Sequence, residues 1–404
     1  MTPYHKGWYK LSVLLFVFAA LVGVVLRFAF VKEIPNFNYK NALLSHSHLA
    51  LLGWIHLAIL NFVLHSFLPD NTPSVWYRNN FLATTVAAIG LSLTLFFGGL
   101  NTASASLFLA FLLVNMIISV SILRKIQGLR SFSLRWLRRG LYFLLLSYLG
   151  SLVLIGMILT GAPKVMLFYL GGQFFLHFQI NGWFTFALFA LFFRFFESKG
   201  IEFDQSKYHQ VVEWFSLSAF LTFALSVAWS SPSTLTFSIN STGVIVQLIA
   251  VTLLLLMMYQ RKEEIIRVFD TKLFVLVRFF FFCFVGKVVV QSAVVIPYLA
   301  EIAYTIRNYV IAFLHLILIG FLSVAIITYQ ALHSRLLDRK IFGLFIVLFV
   351  FSFLTTEILL VGQGSMFWMA KGFIPYYYEL LFASSLVFPL ALMGYLLALV
   401  KESI

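Results

Sequence analysis

With 404 residues, 62% of them hydrophobic and only 10% charged, the chain lies far from soluble proteins, which run at about 45–50% and 25%. That balance excludes a water-soluble globule and predicts an all-α polytopic transmembrane bundle, because lipid forces each backbone polar group to be satisfied inside a helix. The net charge of +14 would suit nucleic acid, but its distribution along the chain assigns it to membrane topology.

Twelve apolar spans are expected, at roughly 11–31, 43–68, 79–99, 103–123, 138–161, 164–194, 210–230, 241–260, 273–297, 303–331, 341–361 and 375–399. The first is long enough to cross and has no small-residue cleavage site, so it reads as a retained helix. Residues 1–404 are expected to form one integral membrane domain in the inner (cytoplasmic) membrane of a cell, with lipid as its main partner. With the N-terminus in the cytoplasm, only Lys32, Lys40, Lys164, Arg307 and Lys371 fall outside, and Arg27 and Lys287 fall within spans. The remaining Lys and Arg collect on the inner side, so both termini are expected to be cytoplasmic. The cluster from Arg124 to Arg139 then anchors topology, and no nucleic acid is expected as a partner. Cys283 is the only cysteine, which excludes an internal disulfide and CxxC-type redox motifs.

In chain order, helix 1 carries Arg27 near its outer end, either snorkelling to the interface or pairing with an acidic ligand group. Helix 2 opens on His46-Ser47-His48-Leu49-Ala50-Leu51-Leu52-Gly53-Trp54-Ile55-His56. Imidazoles within lipid need partners and are rare there. His46 and His48 project about 200° apart on a helix, so they serve ligands on opposite sides. His56 lies about 15 Å deeper than His46. His65 reads as interfacial. Helices 3 to 5 offer small and hydroxyl residues for packing.

Helix 6 places Gln173, His177 and Asn181 at intervals of four, on one face. Helix 9 carries Lys287 and Gln291, again one turn apart, and an intramembrane lysine points to a proton path, a counter-ion or a structural pair with Glu357 on helix 11. Helix 10 carries Asn308 and His315 on nearly one stripe, and His333 reads as solvated. Helix 12 begins with the aromatic run Tyr376-Tyr377-Tyr378. His46, His48, His56, His177 and His315 thus all lie in the outer half or near the middle, whereas His5, His209 and His333 lie inside. Neutral imidazoles suit iron or copper, and the lack of carboxylate clusters argues against calcium or magnesium.

The His-x-His-x-x-x-x-Gly element from His46 to Gly53 resembles the paired-histidine segment of the NnrS family. It is also similar to the haem-binding helix of nitric oxide reductase catalytic subunits in the heme-copper oxidase superfamily. Both share a twelve-helix layout. The resemblance implies haem, of b type, held by His46 and His48, with His177 and His315 as further cofactor ligands, copper as a second candidate metal, and a redox partner protein. The heme-copper oxidases hold copper with one histidine on helix 6 and an adjacent pair after it. Here helices 7 and 8 have none, so a complete oxygen or nitric oxide reductase is not expected. Two other readings stand beside a haem protein: a proton-coupled transporter working through Lys287, Glu357 and the histidines, and an assembly subunit whose polar residues join helices.

Overall fold

The computed structural model describes residues 3–68, 74–161, 164–230 and 232–401, and no strand occurs among them. Twelve helices are long and apolar enough to cross a membrane: α1 (Tyr4–Phe28), α2 (Tyr39–Phe67), α3 (Val75–Gly98), α4 (Thr102–Lys125), α5 (Phe132–Thr160), α6 (Val165–Ser198), α7 (Tyr208–Ala228), α8 (Thr234–Gln260), α9 (Thr271–Ala293), α10 (Arg307–Leu332), α11 (Lys340–Trp368) and α12 (Tyr377–Lys401). The chain is a multi-pass membrane protein. The end of the bundle where α1 leads into α2 is termed upper.

Hydropathy locates every span but not its ends. Helix α1 starts seven residues before the apolar stretch because its amphipathic first turns bury His5 and Tyr9. Helix α5 starts at Phe132 and takes Arg135, Arg138 and Arg139 into its first turns. Ser131 caps it, its side chain accepting from the Leu134 N–H. Asn101 and Ser104 form a reciprocal capping box at α4, and Ser233 and Thr236 form one at α8. Glycines in positive-φ conformations end α3 (Gly99, φ 66) and α5 (Gly161, φ 63).

The packing repeats with a period of four helices. Pairs α1–α2, α5–α6 and α9–α10 correspond, as do α2–α3, α6–α7 and α10–α11, then α3–α4, α7–α8 and α11–α12. Three arcs, α1–α4, α5–α8 and α9–α12, are joined by α4–α5, α8–α9 and α12–α1 contacts, which close the ring. The second helix of each arc lies at the centre: α2, α6 and α10 are 83%, 78% and 56% buried in their apolar windows, against at most 50% for any other span. These three helices also carry the intramembrane histidines, so the topology gathers the candidate chemistry on the bundle axis.

Candidate functional site

Each central helix changes pitch at a histidine. A π-helical stretch begins directly after His48 (Leu49–His56), after His177 (Phe178–Phe184) and after His315 (Leu316–Ser323). Wide turns of this kind are rare and tend to mark functional positions. The three stretches share a pattern: histidine, glycine five residues on (Gly53, Gly182, Gly320), an aromatic at six (Trp54, Trp183, Phe321) and a polar residue at eight (His56, Thr185, Ser323). The pitch change is locally supported, since the Thr185 hydroxyl donates to the Ile180 carbonyl (2.7 Å) and the Ser323 hydroxyl to the Leu318 carbonyl (2.6 Å), each five residues back.

The pattern ties the first arc to each of the other two. Trp54 Nε1 donates to Ser323 Oγ at 2.8 Å, linking the first arc to the third, and Trp183 Nε1 donates to His56 Nδ1 at 3.1 Å, linking the second to the first. Phe321 occupies the third position and has no donor to give. His56 Nε2 donates in turn to Asn115 Oδ1 (2.8 Å), and the Asn115 amide is oriented by its bond to the Phe111 carbonyl. Both nitrogens of His56 are therefore engaged, and no lone pair is left for a metal. The expected metal ligand is a buried structural group.

His46 and His48 do face opposite sides of α2. His46 lies across α1, where Nδ1 donates to the Ala19 carbonyl at 2.8 Å and a Cβ on Gly23 would meet the ring at 3.0 Å. His48 Nδ1 donates to the Leu44 carbonyl of its own helix (2.8 Å), and its ring meets Phe108 of α4 edge-on. In both, Nε2 has no hydrogen-bond partner among the described residues, and both residues keep accessible surface although α2 is central. His315 comes from α10 into electrostatic range of His46, with Arg27 of α1 beside them. Its Nδ1 faces Glu357 Oε1 of α11 at 3.6 Å, and neither atom has a hydrogen-bond partner. That separation is too long for a hydrogen bond. Arg27 forms no ion pair among the described residues, though Glu357, Tyr377 and Tyr39 lie in range of its charge. Asn308 donates to Tyr377 Oη at 2.8 Å, which turns Tyr377 out of the expected interfacial belt and into the bundle, while Tyr376 stays exposed.

His177 belongs to a different corner. Its Nε2 donates to the Ala219 carbonyl at 2.7 Å, and its Nδ1 lies 3.4 Å from Asn181 Nδ2. Asn181 Oδ1 accepts from Lys287 Nζ at 2.8 Å. The Ala219 carbonyl is available because α7 is interrupted at 222–223, where the Phe223 N–H bonds Phe220 instead. The one-face reading of His177 and Asn181 holds, with Gln173 apart from the chain of bonds. Lys287 pairs with Asn181, and Glu357 faces His315. The histidine expected as a metal ligand has both nitrogens occupied.

At the lower end three histidines read separately in the sequence come together. The His5 and His65 rings lie 5.0 Å apart and those of His65 and His333 6.2 Å apart. His5 Nδ1 donates to Asn61 Oδ1 at 2.7 Å. His333 is packed on Tyr329 and Phe195 and is partly buried, where the sequence pointed to a solvated residue. Burial pushes its imidazole below the usual range, opposed by the hydrogen bond to the Tyr329 carbonyl.

Among the described residues no group of three His, Cys, Asp or Glu is placed to hold a metal ion. The five upper histidines thus divide into three with an open Nε2 and two enclosed by protein partners. The residues missed from the sequence are Trp54, Trp183, Asn115 and Ser323. For Trp54, Trp183 and Ser323 the signal was the thrice-repeated spacing, visible once the three central segments are aligned on their glycines; Asn115 on α4 carried no such signal. No family profile matches the chain, and no curated protein is detectably similar to it.

Proposed function

We propose that the chain is a haem-bearing membrane protein, allied to the NnrS and heme-copper oxidase groups that the His46–Gly53 segment resembles, with a role in nitric oxide or respiratory redox chemistry. One observation carries this reading: His46 and His48 each give Nδ1 to a backbone carbonyl and, among the described residues, leave Nε2 without a protein partner, while His315 points an unbonded Nδ1 at Glu357 across 3.6 Å. A ligating imidazole is held in this way, its second nitrogen fixing tautomer and ring direction.

These residues carry the donor chemistry that the group would need. His46 and His315 approach one compartment from two central helices, and Arg27 offers a guanidinium whose fork matches a propionate carboxylate. His48, on the other face of α2, looks toward the apolar wall of Phe108 and Phe175. When bound, haem supplies an iron that binds small ligands or passes electrons. The chain's own contribution is orientation and dryness. The Ala19 and Leu44 carbonyls select the Nε2-basic tautomers of His46 and His48. The apolar helices around them keep water from the site. No copper ligand set is assigned, because His56 and His177 are enclosed.

Purified protein, produced with haem supplied, is expected to show a Soret band that shifts on adding dithionite. His46→Ala, His48→Ala or His315→Ala should diminish that band, whereas His333→Ala should leave it unchanged. A colourless wild-type preparation that is otherwise folded would end the proposal.

A further inference from the structure

The haem reading leaves the upper end of α8 without a role. Residues 233–242 there carry six hydroxyl side chains, whereas residues 243–258 carry only two polar ones, Gln247 and Thr252. A helix of 27 residues is about 40 Å long, against about 30 Å of hydrocarbon. Helix α8 therefore overshoots the apolar layer, and its hydroxyl-rich turns are the part that does so at the upper end. Gly243 sets which way those turns face. A Cβ on it would lie 2.7 Å from Leu221 Cβ and 2.8 Å from the Thr222 nitrogen, so this side of α8 is pressed against α7. The side turned away from α7 carries Ser238, Thr242 and Ile245, and it continues down the helix through Ile249 and Leu256, all exposed.

Between that side and the upper end of α9 runs a groove of about 740 Å³, walled by Ser238, Ser241, Thr242 and Ile245 on α8 and by Val295 and Pro297 beyond α9. Sites that enclose a whole small molecule are of this size. Most hydroxyls near by are already spent. Ser233 and Thr236 cap the helix, and Thr242 Oγ1 donates to the Ser238 carbonyl at 2.9 Å. The Ser238 and Ser241 hydroxyls make no hydrogen bond among the described residues, and a hydroxyl left unpaired against hydrocarbon is costly. They stand one turn apart at the groove, two neutral donors above an apolar strip. No charged side chain lines it.

We propose that this groove is a binding site for one zwitterionic phospholipid of the surrounding bilayer. The Ser238 and Ser241 hydroxyls donate to its phosphodiester oxygens, and an acyl chain follows the exposed strip from Ile245 to Ile249 and Leu256. The division of the groove into hydroxyls above and aliphatic side chains below matches the division of a lipid into head group and chain. The uncharged lining selects the head group. An anionic lipid would bring a charge that nothing in the lining balances, whereas a zwitterion carries its own ammonium beside the phosphate.

The test places the full chain in nanodiscs of equal parts phosphatidylethanolamine and phosphatidylglycerol and counts, by native mass spectrometry, the lipids that stay on the protein as the rest are stripped. The expected result is one retained phosphatidylethanolamine per chain. Joint Ser238→Ala and Ser241→Ala substitution removes the donors and keeps the space, and should cut the retained fraction about fivefold or more, the worth of two neutral hydrogen bonds. Ser238→Leu fills the groove and should abolish retention. These changes fall on the side of α8 away from its helix contacts and are expected to fold. Thr252→Leu, on the same helix about 15 Å below Thr242, is the control and should change nothing. No retained phosphatidylethanolamine in the wild type, preferential retention of phosphatidylglycerol, unchanged retention in the Ser238 and Ser241 variants, or an equal loss in Thr252→Leu overturns the proposal. The readout needs no chromophore, so it stands or falls separately from haem binding.

Discussion

The three repeat glycines are chemically identical and occupy corresponding places, yet replacing each with alanine should have different consequences. A Cβ on Gly182 would lie 2.5 Å from Phe143 Cβ and 2.7 Å from its Cγ. Those atoms are close to the α5 backbone, and the Phe143 ring is stacked on Phe178, so no side-chain rotation relieves the overlap. At Gly320 the Cβ would meet the Phe353 ring tip at 2.7 Å and Cys283 Sγ at 2.9 Å. At Gly53 it meets the methyl ends of Leu49 (3.0 Å) and Leu15 (3.3 Å), which can swing aside. Helix propensity favours alanine over glycine by about 1 kcal/mol in every case, whereas overpacking a rigid contact costs about 1–3 kcal/mol or more. The net effect should be a loss of up to about 2 kcal/mol or more for Gly182→Ala, a smaller loss for Gly320→Ala and little change or a slight gain for Gly53→Ala. Equilibrium unfolding of the three variants in mixed micelles, monitored by tryptophan fluorescence, measures the order. Equal losses, or a loss above about 1 kcal/mol for Gly53→Ala, would refute the reasoning from contact rigidity.

The two tryptophan clasps should also differ. Trp183→Phe leaves the buried His56 Nδ1 without its donor, at a cost of about 1–3 kcal/mol. Trp54→Phe removes one bond from Ser323, whose hydroxyl still donates to Leu318, at about 0.5–1.5 kcal/mol. Unfolding that ranks Trp54→Phe as the more damaging would contradict the geometry. His333 sets a pH dependence. Its folded-state affinity for a proton is lowered by burial relative to the ordinary 6.5, so the unfolded chain binds more protons as pH drops below that value. Its contribution is whole above about pH 6.5 and is lost on acidification below it. Tm measured from pH 8 to 5.5 should therefore fall less steeply in His333→Phe than in the wild type, and identical slopes would count against this account.

Much of the candidate site could be read from residue types and spacing, but only where a residue's partners are local. His46 and His48 were separable because a helix turns by a known angle per residue, and the structure puts them on α1 and α4 sides as that angle requires. His177 and Asn181 were placed together by their spacing of four. The roles of His56 and His177 were not legible, because their partners Asn115, Trp183 and Ala219 lie 42 to 127 residues away and are brought up by helix packing. An imidazole with both nitrogens satisfied and one with an open Nε2 look identical in one dimension. The pairing of Lys287 went the same way: Asn181 and Glu357 were both within reach of a sequence argument, and only the positions of α6 and α11 around α9 separate them.

What the chain's sequence determined alone was its class, its twelve spans and the place of each histidine along its helix. Lipid makes these one-dimensional quantities: a crossing segment must be apolar for about twenty residues, and depth then follows from the rise per residue. What the tertiary structure alone decided was the threefold arrangement of arcs, the Trp–Ser and Trp–His clasps between them, and which imidazoles keep a free nitrogen. Those depend on rotation of each helix about its axis and on its neighbours. In a chain where nearly every face of every helix is apolar, no hydrophobic stripe announces them, and the few interhelical hydrogen bonds settle the rotation instead.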